Sequence, residues 1–230
     1  GAHCLGHAGE PARTGADPGW DGLSLFLLPE GQSGLSWHQQ RSADLTRPTA
    51  RLDMNDVFLP TEALVGEPGE GGSWLGALLP GLTAALCAEM VGGAQRLLDL
   101  ATAYALERRQ FDKPIGSFQA VQHRLVDMLV AVESMRSAAY FVLGSIEGDA
   151  DAGEQTSSRE MDAAVAKAYC SRAYRETAEN AIQIHGGLGF TWEHDAHLYY
   201  RRALVDAQLL GGTAYHEERI TAAMRRQRPD

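Results

Sequence analysis

From Trp74 onward the apolar positions recur at three- and four-residue steps. Met90, Val91, Ala94, Leu97, Leu98, Ala101, Tyr104 and Ala105 form one stripe. Val121, Leu125, Met128, Leu129, Val132 and Met135 form a second. The first stripe predicts one long helix over Leu75 to Leu106, or two joined at Pro80 and Gly81, because proline breaks a helix interior. The second predicts a helix from Ser117 to Ile146, with Ser117 as N-cap. A third helix, about Arg159 to His185, is dense in alanine at positions where small residues let neighbouring helices approach. Gly186 and Gly187 end it by tolerating a left-handed backbone. A last helix starts at Thr213.

Ahead of Trp74 the pattern changes. Gly22 to Leu28 is a compact apolar run, and Gly34 to His38 and Thr49 to Asp53 are shorter strand candidates. Pro60 to Gly72 is rich in Pro, Gly and Glu, as an exposed connection would be. The expected class is α+β: partial β structure over residues 1–75, then a four-helix antiparallel bundle over 76–230. So short a β segment leaves strands without partners and an exposed edge. The polar run Glu147 to Ser158 reads as a loop.

Composition narrows the function. A net charge of -10 disfavours nucleic acid, since phosphate binding needs a basic face. Cys4, Cys87 and Cys170 lie far apart, which suits reduced thiols in the cytoplasm. No uninterrupted apolar run of bilayer length is seen, so no membrane span is expected, and no signal peptide opens the chain. His3, Cys4 and His7 complete no four-ligand set. His194, Asp195 and His197 open a helix, where Asp or His acts as a cap, so no metal is expected there either. The turn Gly186 to Phe190 follows a helix and lacks the third glycine of a dinucleotide fingerprint.

Candidate chemistry concentrates between the first two helices. Asp112, Pro114 and Gly116 interrupt the helical pattern beside Arg108, Arg109, Gln110 and Phe111. A guanidinium fork suits phosphate and an aromatic ring can cover a flat heterocycle. The alternative is a solvated arginine pair with Phe111 plugging the helix corner.

The stretches RRQFDKPIGSFQAVQHRLVDM and AIQIHGGLGFTWEHDAHLYYRRA together resemble the C-terminal half of the acyl-CoA dehydrogenases. The resemblance implies the end of that family's middle β domain followed by its whole C-terminal helical domain, without the front of the usual chain. It implies FAD as cofactor, an acyl-CoA substrate, α,β-dehydrogenation, and a homo- or hetero-oligomer, dimer or tetramer, whose neighbouring subunits share each FAD. The matching cofactor residues are Arg108, Gln110, Phe111, Gln183 and Gly187. Arg108 would pair with the pyrophosphate, Phe111 would lie on a ring, and Gln183 and the Gly187 backbone would hydrogen-bond. Asp112 stands where the family usually has glycine.

The family's catalytic base is a glutamate just before a Gly-Thr pair, which here falls on Gly211. A smaller group carries it earlier, at the position matching Leu82. Neither is a carboxylate. Three readings follow: a subunit that completes a catalytic partner's FAD site, a complete enzyme using Glu89 or Asp206 as its base, or a helical interaction subunit that has lost the cofactor. Retention of the five cofactor positions alongside loss of the base favours the first.

Overall fold

The computed structural model describes residues 2–7, 22–147 and 154–226. Two compact units emerge, Gly1–Arg41 with Pro48–Leu79, and Ser42–Arg47 with Pro80–Asp230.

The first unit holds two small antiparallel sheets. Strands β1 (Ala2–His7), β2 (Leu23–Leu28) and β5 (Leu64–Val65) form one, in the order β1-β2-β5, with Ala2 opposite Leu28 and Leu25 opposite Val65. Strands β3 (Leu35–Gln39) and β4 (Ala50–Met54) pair as a hairpin, Leu35 opposite Met54. Ser24 and Leu28 are buried, and the Ser24 hydroxyl accepts a hydrogen bond from the Gly69 backbone N–H at 2.9 Å. The Pro60 to Gly72 connection contains β5 and a short 3₁₀ turn at Thr61–Ala63, so it is more ordered than its composition implies.

The second unit is helical. Helices α1 (Gly71–Glu107), α2 (Gln119–Glu147) and α3 (Glu154–His185) supply the core, with α4 (Ala196–Asp206) and α5 (Thr213–Arg226) following. Met90, Ala94, Leu97 and Ala101 of α1 join Met128, Val132 and Met135 of α2 and Cys170, Ala173, Tyr174 and Ala178 of α3 in one buried cluster. This is the α+β arrangement the periodicity predicts, with the helical domain in place.

Several local expectations are corrected. Pro80 sits inside α1 without ending it. This is the single-helix alternative of the two expected: proline loses its own N–H bond and crowds the carbonyl four residues back, and packing of the apolar stripe outweighs that cost. The Ser117 hydroxyl donates to the Pro114 carbonyl at 2.7 Å and caps nothing; a 3₁₀ turn at Ile115–Ser117 leads into α2. Asp195 makes no side-chain cap either, and the Ala196 N–H is instead satisfied by His194 Nδ1 at 3.1 Å. Helix α3 begins at Glu154, inside the run expected to be a loop. Both α1 and α2 are long and apolar enough to cross a membrane by length and composition. The expectation of no such segment counted apolar runs, whereas these helices interleave small and polar residues with their apolar stripe. The side chains of His3, Cys4 and His7 lie outside the described residues; Cys87 and Cys170 are free and buried.

Candidate functional site

Between α1 and α2 the chain makes a tight hairpin. Strands β6 (Arg109–Gln110) and β7 (Lys113–Pro114) pair, Gln110 opposite Lys113, so β structure is not confined to the N-terminal part. The two tip residues, Phe111 and Asp112, have φ of 51° and 62°. That is the conformation a two-residue hairpin loop needs, and it normally selects Asn-Gly or Asp-Gly. Residues with a Cβ pay about 1–2 kcal/mol each for it. The hairpin is held by Arg108 N–H to the Tyr104 carbonyl, Ile115 N–H to the Arg108 carbonyl, and an Arg109 guanidinium bond to the Asp112 carbonyl at 2.5 Å. Arg109 is thus spent on the turn. Arg108 makes no side-chain ion pair among the described residues and stays exposed.

Arg108 and Gln110 face the end of α3 across an open cavity of about 580 Å³, lined also by Tyr104, His185, Gly186, Gly187 and Leu188. Gly186 takes φ +60°, and a Cβ at Gly186 or Gly187 would meet no atom within 4 Å, leaving bare backbone open to a ligand. His185 is buried against Tyr104 and His194, at ring distances of 4.7 and 4.1 Å, with Nδ1 bonded to the Ala181 carbonyl. Burial pushes its pKa down and His194 adds to the fall, against the carbonyls of Ala181 and Leu100. Of the five residues singled out by the resemblance, Arg108, Gln110 and Gly187 meet at this cavity. Gln183 is exposed on the last turn of α3 and Phe111 stands at the hairpin tip, 84% exposed; neither lines the cavity.

A second cavity, of about 380 Å³, includes Leu82, one of the two positions matching the family's base, and ends at Leu210, the residue before the other. Leu82, Ala85 and Leu86 line it from α1, Leu209 and Leu210 from beyond α4, and Arg47 and Glu89 close one end. Glu89 is its one carboxylate, and it is already engaged. Both its oxygens accept from Arg47 Nη2, at 2.6 and 2.8 Å, and one accepts from Arg202 at 2.9 Å. Asp206 is fully buried, paired with Arg47 at 2.5 Å, and does not line the cavity. Burial, and then Glu89, push its carboxyl up to about 6, against the pull of Arg47 and Arg202. Arg202 also reaches Asp44 and Thr46. Both carboxylates therefore serve an arginine-bridged network in the helical unit.

In this backbone Gly211 could carry the expected glutamate only with strain and a shift of the Tyr215 side chain. Its φ is +101°, and a Cβ would lie 2.4 Å from the Tyr215 ring. Leu210 before it is also left-handed, at φ 58°.

The family model for the acyl-CoA dehydrogenase C-terminal domain matches residues 73–225. The chain belongs to the acyl-CoA dehydrogenase family. Acyl-CoA dehydrogenase IpdE2 of Mycolicibacterium smegmatis is 43% identical over 142 residues, 61% of this chain and 42% of that protein. Among solved structures, PigA with FAD and proline superposes with a TM-score of 0.82 at 28% identity, covering 90% of this chain and 53% of that one. The glutaryl-coenzyme A dehydrogenase complex with glutaryl-CoA gives 0.79 at 29% identity, covering 91% and 52%. The chain thus spans about half the length of these similar proteins.

Within the family frame, two features escaped the motif reading. Tyr104 and His185 line the first cavity, and the only hint was their place next to Arg108 and Gly186 on stripe positions. The arginine network joins Arg47, Glu89 and the Arg202–Asp206 pair from distant parts of the sequence; the four-residue step could have suggested that pair, but no spacing rule links it to Arg47 or Glu89.

Proposed function

We propose that this chain is the C-terminal portion of an FAD-dependent acyl-CoA dehydrogenase, acting on an acyl-CoA thioester in the cytoplasm. In this reading residues 1–75 end the middle β domain, and the helical domain from residue 76 completes the FAD site of a neighbouring subunit in an oligomer. One observation carries it: Arg108, an exposed guanidinium with no ion-pair partner among the described residues, faces the bare backbone of Gly186 and Gly187 across an open cavity. A fork of donors suits a pyrophosphate, and the missing Cβ atoms of Gly186 and Gly187 leave room for it to approach the backbone closely. Bound there, FAD would supply the acceptor for the hydride leaving the β-carbon of the acyl group. Arg108 would neutralise phosphate, Gln110 and Gln183 would hydrogen-bond, the Gly187 backbone would approach closely, and Phe111 would lie on a ring presented by the neighbour. The exposure and left-handed backbone of Phe111 support that last role, since both leave the ring projecting from the domain.

Leu82 and Gly211 carry no carboxylate, so in this reading the α-proton is removed by a partner subunit. The oligomer of this chain alone, supplied with FAD and an N-terminal portion, should show negligible acyl-CoA oxidation. Adding a partner that bears glutamate at the position of Gly211 should restore turnover, by about 10²–10⁴-fold if one positioned base is what is missing. A second reading is favoured by the place of Glu89 on the wall of the smaller cavity. Full activity without a partner, abolished by Glu89→Gln, would establish that reading and overturn the first.

A further inference from the structure

Lys167 is completely buried in α3, among the small and apolar residues of the core. Its ammonium is nevertheless fully engaged. Nζ donates to the Ser171 hydroxyl at 2.9 Å and reaches the carbonyls of Asp206 at 3.0 Å, Gly211 at 3.2 Å and Ala207 at 3.3 Å. These carbonyls lie at the end of α4 and along the segment that follows it, where a helix leaves acceptors unsatisfied and its dipole favours a cation. The adjoining carbonyl, that of Leu210, accepts from His216 Nε2 at 3.0 Å. Thus two successive carbonyls, Leu210 and Gly211, are drawn inward by two buried side chains at the place where both residues take positive φ.

We propose that Lys167, with His216 beside it, is a positioning residue that fixes the wall of the smaller cavity. It touches no cavity space itself. It acts through the backbone of residues 206–211, whose Leu209 and Leu210 side chains face Leu82 and Leu86 across that space. The ammonium behaves as a tethered cation inside a ring of oxygens. Burying it without those four acceptors would cost far more than burying a leucine of similar size, so the core tolerates it only while the turn stays in place. The left-handed Leu210 and Gly211 backbone is correspondingly stable only while its carbonyls have these donors. The consequence rests on the proposed function and on taking this cavity, which holds Leu82 at one position matching the family's base, as the place of the acyl group: the shape offered to that group is then set from inside the core.

The test is amide hydrogen exchange on the full chain, which needs neither flavin nor substrate and so stands apart from the functional reading. Lys167→Ala should raise exchange in residues 207–213 by about tenfold or more, the loss expected for charged hydrogen bonds that hold a local segment closed. Propylammonium restores the missing atoms of the side chain and should return protection to the same segment, whereas tetramethylammonium, which has no N–H donor, should not. Lys167→Met preserves bulk without donors and should behave like the alanine variant in this segment while leaving the centre of α1 protected. Unchanged exchange in residues 207–213 would overturn the proposal. So would loosening spread evenly through α1, α2 and α3 that propylammonium does not reverse, because Lys167 would then matter only as core volume.

Discussion

Gly211→Ala is the simplest change at the position where a base-bearing relative would place glutamate. Two costs can be separated. The backbone stands at φ +101°, where a residue with a Cβ loses about 1–2 kcal/mol. The new methyl would also lie 2.4 Å from Tyr215 Cδ1 and 3.1 Å from His216 Nε2. Relieving such a contact costs about 1–3 kcal/mol. Together they destabilise by roughly 2–5 kcal/mol. For a chain of this size the thermal midpoint should fall by roughly 4–20 °C, at about 2–4 °C per kcal/mol. Thermal unfolding followed by far-ultraviolet circular dichroism reads the helical unit, and a double-mutant cycle with Tyr215→Ala divides the loss. The clash should vanish in the Tyr215→Ala background and leave only about 1–2 kcal/mol of backbone strain. A Gly211→Ala effect within about 0.5 kcal/mol would refute the reasoning, since that is the range of ordinary surface substitutions. A loss that Tyr215→Ala leaves untouched would show that the ring is not the obstacle.

Two adjacent glycines of α1 should respond in opposite directions in urea titrations. Gly92 has no atom within 4 Å of a built Cβ, so Gly92→Ala should stabilise by about 0.8–1 kcal/mol through helix propensity. Gly93 faces the buried Tyr174 hydroxyl too closely for a methyl, so Gly93→Ala should destabilise by about 1–3 kcal/mol. The pH dependence has two opposed buried contributors. The Asp206 carboxyl, raised to about 6 chiefly by burial, binds its proton more tightly in the folded state, so its contribution falls as pH rises from about 4 to 6. His216, lowered to about 4 chiefly by burial, binds its proton more tightly when unfolded, so its contribution rises over about pH 4 to 6.5. Urea midpoints measured across this window should therefore climb more steeply with pH in Asp206→Asn than in the parent, and less steeply in His216→Gln; identical slopes in all three would contradict the assignment.

The helical domain was legible because its stripes are long. Met90 to Ala105 and Val121 to Met135 each repeat for four turns or more, and such repetition survives an internal proline. The hairpin at the corner was not legible as a hairpin. Phe111 and Asp112 lack the glycine that normally announces positive φ, and it is the flanking contacts of Arg109 and Ile115 that impose the turn. The proposed cofactor corner was legible only through motif resemblance, and the geometry divides its five residues: Arg108, Gln110 and Gly187 converge on a cavity, while Gln183 and Phe111 stay exposed outside it. Lys167 left a trace that spacing could have caught. It lies four residues after Ala163 and three before Cys170 on the buried stripe of α3, where a charge demands a partner. Apart from the Ser171 hydroxyl one turn on, its acceptors are backbone carbonyls some forty residues away, and those have no signature in the sequence.

The most direct test of the proposed FAD site compares Arg108→Ala with Arg109→Ala in the assembled oligomer, by flavin absorbance titration. Arg108 offers to the cavity a guanidinium with no ion-pair partner among the described residues, whereas Arg109 holds the Asp112 carbonyl at 2.5 Å and does not line it. Loss of one charged hydrogen bond to phosphate should cost about 1.5–3 kcal/mol. That corresponds to about tenfold or more in FAD affinity for Arg108→Ala, with a smaller change for Arg109→Ala. Equal FAD affinity in the two variants, or a greater loss from Arg109→Ala, would contradict the account.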